Sequence, residues 1–147
     1  QLPYLDEHIA QKKAIYERYK EGFKGLPVSM NPVDLENSEP NYWLSCLIID
    51  EEAMCKQVRG EQDVCYVKEH GKTCPTEILE AIASINAEGR PIWKPMHMQP
   101  VFADCDYIDN GKVGESLFEN GVCLPSDTKM TDEDLKRICT IIRGLWK

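Results

Sequence analysis

Histidine is scarce in this chain, three in 147 residues. One of them, His97, sits in the unusual stretch RPIWKPMHMQP, Arg90 to Pro100, together with Trp93, Lys94, Gln99 and two methionines. Imidazole and carboxamide groups can bind hydroxyls and phosphates, an indole offers an apolar wall, and a desolvated lysine can condense with a carbonyl. Pro95 and Pro100 are expected to exclude helix and to hold Met96 to Gln99 extended. In that geometry His97 and Gln99 share one face and Met96 and Met98 the other. A polar face beside Trp93, with methionines packed inward, suits one wall of a binding cleft. Taken alone, His97 could also be a core histidine bonded to a backbone carbonyl, the commonest fate of an isolated histidine. Lys94 is expected to be solvated or near an anionic ligand, because nothing around it marks a nucleophile.

Other chemistry is sparse. Cys55, Cys65, His70 and Cys74 come nearest to a metal set, but nine, four and three residues separate them and no C-x-x-C pair occurs. No metal is therefore expected, and the four read as buried or incidental side chains. The sequence contains no G-x-G-x-x-G, no phosphate-binding G-x-x-x-x-G-K-[ST], no G-x-S-x-G and no H-E-x-x-H. No catalytic residue is assigned within the chain.

Composition narrows the classes further. A net charge of -8 and a pI near 4.9 repel phosphate backbones, so no nucleic-acid partner is expected. Hydrophobic residues make up 42% and charged residues 29%, with no apolar run near the roughly 20 residues of a membrane span. No membrane association is expected. Seven scattered cysteines, an odd number, fit a reducing cytoplasm better than a disulfide framework. The chain opens Gln1-Leu2-Pro3 and runs directly into a helical pattern, which reads as a piece of something longer.

The elements that must position these residues follow from periodicity. Leu5, Ile9, Tyr16, Tyr19 and Phe23 line one face of a long helix over residues 3–24, with Pro3 in its first turn and Gly25 at its stop. Gly25 to Pro40 is a proline-interrupted connector. Tyr42 to Asp50 reads as a buried strand, after which Asp50 caps a short helix from Glu51 to about Val58. Asp63 to Val67 forms either a short strand or part of an inserted loop. Pro75 starts a helix with Ile78, Leu79, Ile82 and Ile85 on its apolar face, stopping around Gly89. An Asn110-Gly111 turn, two helical turns in VGESLFENG and a strand in VCLPS come next. The last helix has Thr131 as its cap, Asp134 three residues on, Met130 as a staple to Leu135, and Leu135, Ile138, Ile142 and Leu145 as its buried face. The expected fold class is α/β in the broad sense, an α+β two-layer sandwich with a small, mainly antiparallel sheet covered by helices in one domain, 1–147.

Two stretches, GRPIWKPMHMQPVF (Gly89 to Phe102) and SLFENGVCLPSDTKMTDEDLKRI (Ser116 to Ile138), resemble the C-terminal domain of the DegT/DnrJ/StrS sugar aminotransferases. The opening QLPYLDEHIAQKKAIYERY resembles the helix that leaves that family's large domain. These are fold-type I enzymes dependent on pyridoxal 5'-phosphate. The resemblance implies transfer of an amino group, usually from glutamate, to a keto sugar nucleotide in surface-glycan or polysaccharide assembly. It also implies a homodimer whose Schiff-base lysine lies in an N-terminal domain outside this chain, so no cofactor is expected to be held here. His97 matches the histidine of the family's P-[LM]-H-x-Q-P motif and is the first candidate for substrate binding, with Gln99 and Trp93 behind it. The stretch Gly60 to Thr73 is longer than the usual connection and carries no assigned role. The competing reading is a free-standing α/β binding or interaction module that uses the Trp-Met-Pro segment as its contact surface.

Overall fold

The computed structural model describes residues 2–60, 64–108 and 111–147. A four-stranded sheet of order β1-β2-β6-β5, with every pair antiparallel, forms its centre. Its strands are β1 (Val28–Met30), β2 (Ser45–Ile49), β5 (Arg90–Pro91) and β6 (Gly121–Leu124). Helices α1 (Leu5–Gly22), α2 (Pro75–Ala83) and α4 (Asp132–Arg143) cover it, and α3 (Val113–Asn120) runs straight into β6. This is the α+β sandwich with a small antiparallel sheet that the residue pattern predicts.

The core lies between the sheet and three of the helices. Ile15, Tyr19 and Phe23 from the α1 region, Leu47 and Ile49 from β2, Ile78 and Ile82 from α2, Val122 and Leu124 from β6, and Leu135, Ile138 and Ile142 from α4 form one cluster. Buried positions alternate along β2, so Leu47 and Ile49 face this cluster while Cys46 and Ile48 face away and are half-buried. Two phenols fix α1 to its surroundings: Tyr16 Oη donates to the Asn31 carbonyl and Tyr19 Oη to the Pro125 carbonyl, both at 2.7 Å. Arg18 reaches Asp132 on α4 at 2.7 Å.

Local chemistry explains where elements stop. A 3-10 turn, Leu2–Tyr4, leads into α1, and Gly25 takes a φ of 82° just beyond it. The apolar face predicted for this helix is covered only in its second half: Ile15, Tyr16 and Tyr19 are buried, whereas Leu5 is exposed. Strand β2 starts later than Tyr42 because Tyr42 has a φ of 52°, outside extended backbone. Pro75 holds the first position of α2, and Asn86, with a φ of 61°, turns the chain before Gly89. Thr131 and Asp134 form a reciprocal capping box on α4, and Met130 packs against the core.

Two expectations fail. The connector 25–40 contains β1, whose Val28, Ser29 and Met30 pair with Ile49, Ile48 and Leu47. The helix predicted from Glu51 to Val58 is only a 3-10 turn, Glu51–Ala53. The Thr73 segment takes its place: Cys55 N–H donates to the Thr73 carbonyl at 2.9 Å, and Thr73 N–H donates to the Ala53 carbonyl at 3.1 Å. Backbone groups satisfied across the chain are withdrawn from an i→i−4 ladder. The chain then forms a hairpin of β3 (Gln57–Arg59) and β4 (Val64–Tyr66), so the ambiguous Val64–Tyr66 run is a strand. Asp63 and Asn110, which figure in the expected strand and turn, lie outside the described residues.

Candidate functional site

The segment after β5 is not extended. Met96–Met98 and Pro100–Phe102 are successive 3-10 turns. Met98 N–H donates to the Pro95 carbonyl and Gln99 N–H to the Met96 carbonyl, both at 3.0 Å. Pro95, with a φ of −53°, stands before the first turn, and Pro100 occupies the first position of the second. Proline breaks a helix interior but suits a helix start, where its missing N–H has no intrahelical partner to lose. The pleat that would align His97 with Gln99 is therefore absent, and Met96 is exposed rather than packed inward.

Each candidate side chain has a distinct setting. Trp93 is 64% exposed and its ring centroid lies 6.2 Å from that of Trp43, itself 65% exposed. Gln99 Nε2 donates to the Lys94 carbonyl at 3.0 Å, tying the segment into a closed turn. His97 turns instead toward α3, with its Nε2 2.7 Å from Glu115 Oε1 and the Tyr107 ring stacked on it.

Trp93, Lys94 and Gln99 line a cleft of about 1010 Å³ together with Arg59, Arg90 and Phe118. His97 does not line it. Arg59, from the β3–β4 hairpin, lies over the Phe118 ring at 4.3 Å and donates to the Phe118 carbonyl. Burial lowers its pKa. Arg90 pairs with Glu88 at 2.5 Å on the surface. The cleft thus joins an indole, a carboxamide and cationic groups, a combination suited to a polar, anionic ligand with an apolar part. Arg59 in the cleft and Trp43 beside Trp93 had no signal in the sequence, since contacts across 50 or more positions, to Phe118 and Trp93, bring them there.

The cysteines do not converge. Cys55 and Cys74 are buried while Cys65 is exposed, and among the described residues no group of three or more His, Cys, Asp or Glu side chains is placed to hold a metal. Burial, with the Cys74 thiol next in effect, pushes Cys55 up to about 12.

The model of the DegT/DnrJ/EryC1/StrS aminotransferase family matches residues 1–143. The chain belongs to that family. EpsN of Bacillus subtilis (strain 168), named as a pyridoxal phosphate-dependent aminotransferase, is 30% identical over 149 aligned residues, covering 99% of this chain and 33% of that protein. A GDP-perosamine synthase of Vibrio cholerae is 24% identical, covering 98% of the chain and 34% of its own length. Among solved structures, Helicobacter pylori PseC, an aminotransferase involved in pseudoaminic acid biosynthesis, shares the fold with a TM-score of 0.72 at 15% identity, over 99% of this chain and 34% of that one. This DegT/DnrJ/EryC1/StrS chain spans about a third of the length of the curated relatives it matches.

The family's cofactor chemistry sets a requirement that can be tested on these residues. A lysine that condenses with an aldehyde at neutral pH needs desolvation or a neighbouring cation. None of the lysines in the chain is fully buried; Lys94 is half-buried and lines the same cleft as Arg59 and Arg90.

Proposed function

We propose that the chain is the C-terminal domain of a pyridoxal phosphate-dependent aminotransferase that passes an amino group from glutamate to a keto sugar carried on a nucleotide, in surface-glycan or polysaccharide assembly. The match to the aminotransferase family over nearly the whole chain carries this reading. The GDP-perosamine synthase among its relatives favours a nucleotide-linked sugar as acceptor.

In this reading the chain supplies one wall of the substrate cleft. Trp93 gives an apolar surface, Gln99 fixes the Lys94 turn at the rim, and Arg59 and Arg90 attract the negative charge of a nucleotide. His97, which lies beside α3 and outside this cleft, binds a part of the substrate that extends beyond it. The cofactor-holding residues, including the aldimine lysine, belong to the enzyme's own N-terminal domain, and the intact enzyme is a cytoplasmic homodimer. The chain alone is inert.

The test compares the chain with the longer enzyme. Incubation with pyridoxal phosphate followed by borohydride is expected to leave the chain without a stoichiometric lysine adduct. The longer protein is expected to trap one and to transfer nitrogen from glutamate to a keto sugar nucleotide. A specific adduct at a single lysine of the chain would overturn the inertness. A longer protein that neither binds the cofactor nor moves nitrogen would favour the interaction-module alternative.

A further inference from the structure

His97 is held by residues outside its own segment. Its Nε2 lies 2.7 Å from Glu115 Oε1, and the Tyr107 ring stacks on it with centroids 3.7 Å apart and planes 13° from parallel. The turn itself rests on the start of α3: a Cβ added at Gly114 would lie 3.5 Å from Pro95 Cγ. The His97 and Glu115 side chains are only 19% and 24% exposed, so water competes weakly for their contact. A carboxylate accepts and cannot donate, which places the hydrogen on Nε2. In the neutral ring Nδ1 is then the acceptor. Among the described residues Nδ1 has no hydrogen-bond partner, and it is not one of the buried polar atoms left without one.

We propose that Glu115 is a positioning residue for His97. It fixes the imidazole in the Nε2–H tautomer and in one plane, with Tyr107 covering a ring face, so that the Nδ1 lone pair is what His97 offers a ligand. The group that fits a neutral Nδ1 is a hydrogen-bond donor, a sugar hydroxyl rather than a phosphate oxygen. The ligand half of this inference rests on the substrate-binding reading of His97 given above. The tautomer half depends only on the fold.

The nitrogen-15 spectrum of the labelled chain, at a pH where the imidazole is neutral, reads the tautomer directly. His97 is expected to show a protonated Nε2 and an unprotonated Nδ1. In Glu115→Ala the two shifts should move toward the average of exchanging tautomers. Glu115→Gln should restore the split, because the amide oxygen still accepts. In the longer enzyme Glu115→Ala is expected to raise KM for the sugar substrate about five- to tenfold, the scale of one lost hydrogen bond, with kcat little changed and Gln largely rescuing it. Exchanging tautomers in the unmodified chain, or an unchanged Nε2–H tautomer in a folded Glu115→Ala variant, would overturn the inference and leave the aminotransferase reading standing. A fixed tautomer in a longer protein that moves no nitrogen would do the reverse.

Discussion

At the scale of the residue, environment sorts side chains that the sequence leaves equivalent. Cys65 and Cys105 are exposed, whereas Cys55, Cys74 and Cys123 are buried. Burial pushes Cys139 up to about 11, and burial with the Cys74 thiol pushes Cys55 up to about 12. Only the thiolate alkylates. Iodoacetamide at pH 8 is therefore expected to label Cys65 and Cys105 well before Cys55 and Cys139 in the native chain, as read by peptide mass spectrometry of timed samples. Early labelling of Cys55 would contradict its packing. The same two thiols set a sign for the pH dependence of stability. Their folded values lie above the ordinary 9.0, so at alkaline pH the folded chain keeps protons that the unfolded chain has lost. Their contribution is complete below pH 9 and is lost as pH rises through about 11 for Cys139 and about 12 for Cys55. Urea midpoints should fall from pH 8 to pH 10.5, and a rise would refute the assignment. Tyr19, whose phenol burial also pushes up, acts in the same direction.

At the scale of the element, stability is carried by ends and contacts that can be removed singly. The α4 capping box satisfies two backbone groups, with Asp134 N–H donating to Thr131 Oγ1 at 3.2 Å and Thr131 N–H donating to Asp134 Oδ2 at 3.0 Å. Thr131→Ala should cost about 1 kcal/mol and lower Tm by about 3 °C, while Thr131→Ser should recover most of it. Equal losses in both variants, measured by thermal circular dichroism, would mean that the hydroxyl is not what caps the helix. This helix was legible in the sequence because everything that specifies it is local: a cap, a first-turn acid and a buried stripe within 15 residues of one another. The elements that were not legible are non-local. Strand β1 exists because Val28 finds Ile49, and the helix predicted after Asp50 gives way because Thr73 takes up the hydrogen bonds of Ala53 and Cys55. The candidate site divides in the same way. Trp93, His97 and Gln99 stand out as residue types in a proline-rich motif, but their arrangement depends on two 3-10 turns that prolines start rather than prevent, and on Glu115, Tyr107 and Arg59, which chain folding brings in.

At the scale of the whole molecule, the notable feature is apolar surface without cover. Trp43 and Trp93 stand side by side in the open, Met96 is 62% exposed, and Leu2, at the start of the half-covered α1 region, is 85% exposed. Two large indoles left open side by side are the kind of apolar surface that marks an interaction site. The chain spans about a third of its relatives' length, and in the reading proposed above the occupant of such surface is the remainder of a longer enzyme. Tryptophan emission tests this, because the third indole, Trp146, is packed against the core. In the chain alone acrylamide is expected to quench an accessible component that shrinks in Trp43→Phe and again in Trp93→Phe, leaving a protected remainder from Trp146. In the longer enzyme, with tryptophans outside this region replaced by phenylalanine, the accessible component should fall substantially, since the indoles that form an open wall here would then face the opposite side of a cleft. If Trp43 and Trp93 stay as accessible in the longer enzyme as in the chain, this surface does not meet the remainder of the enzyme, and the interaction-module reading of the Trp-Met-Pro segment gains the ground that the cleft reading loses.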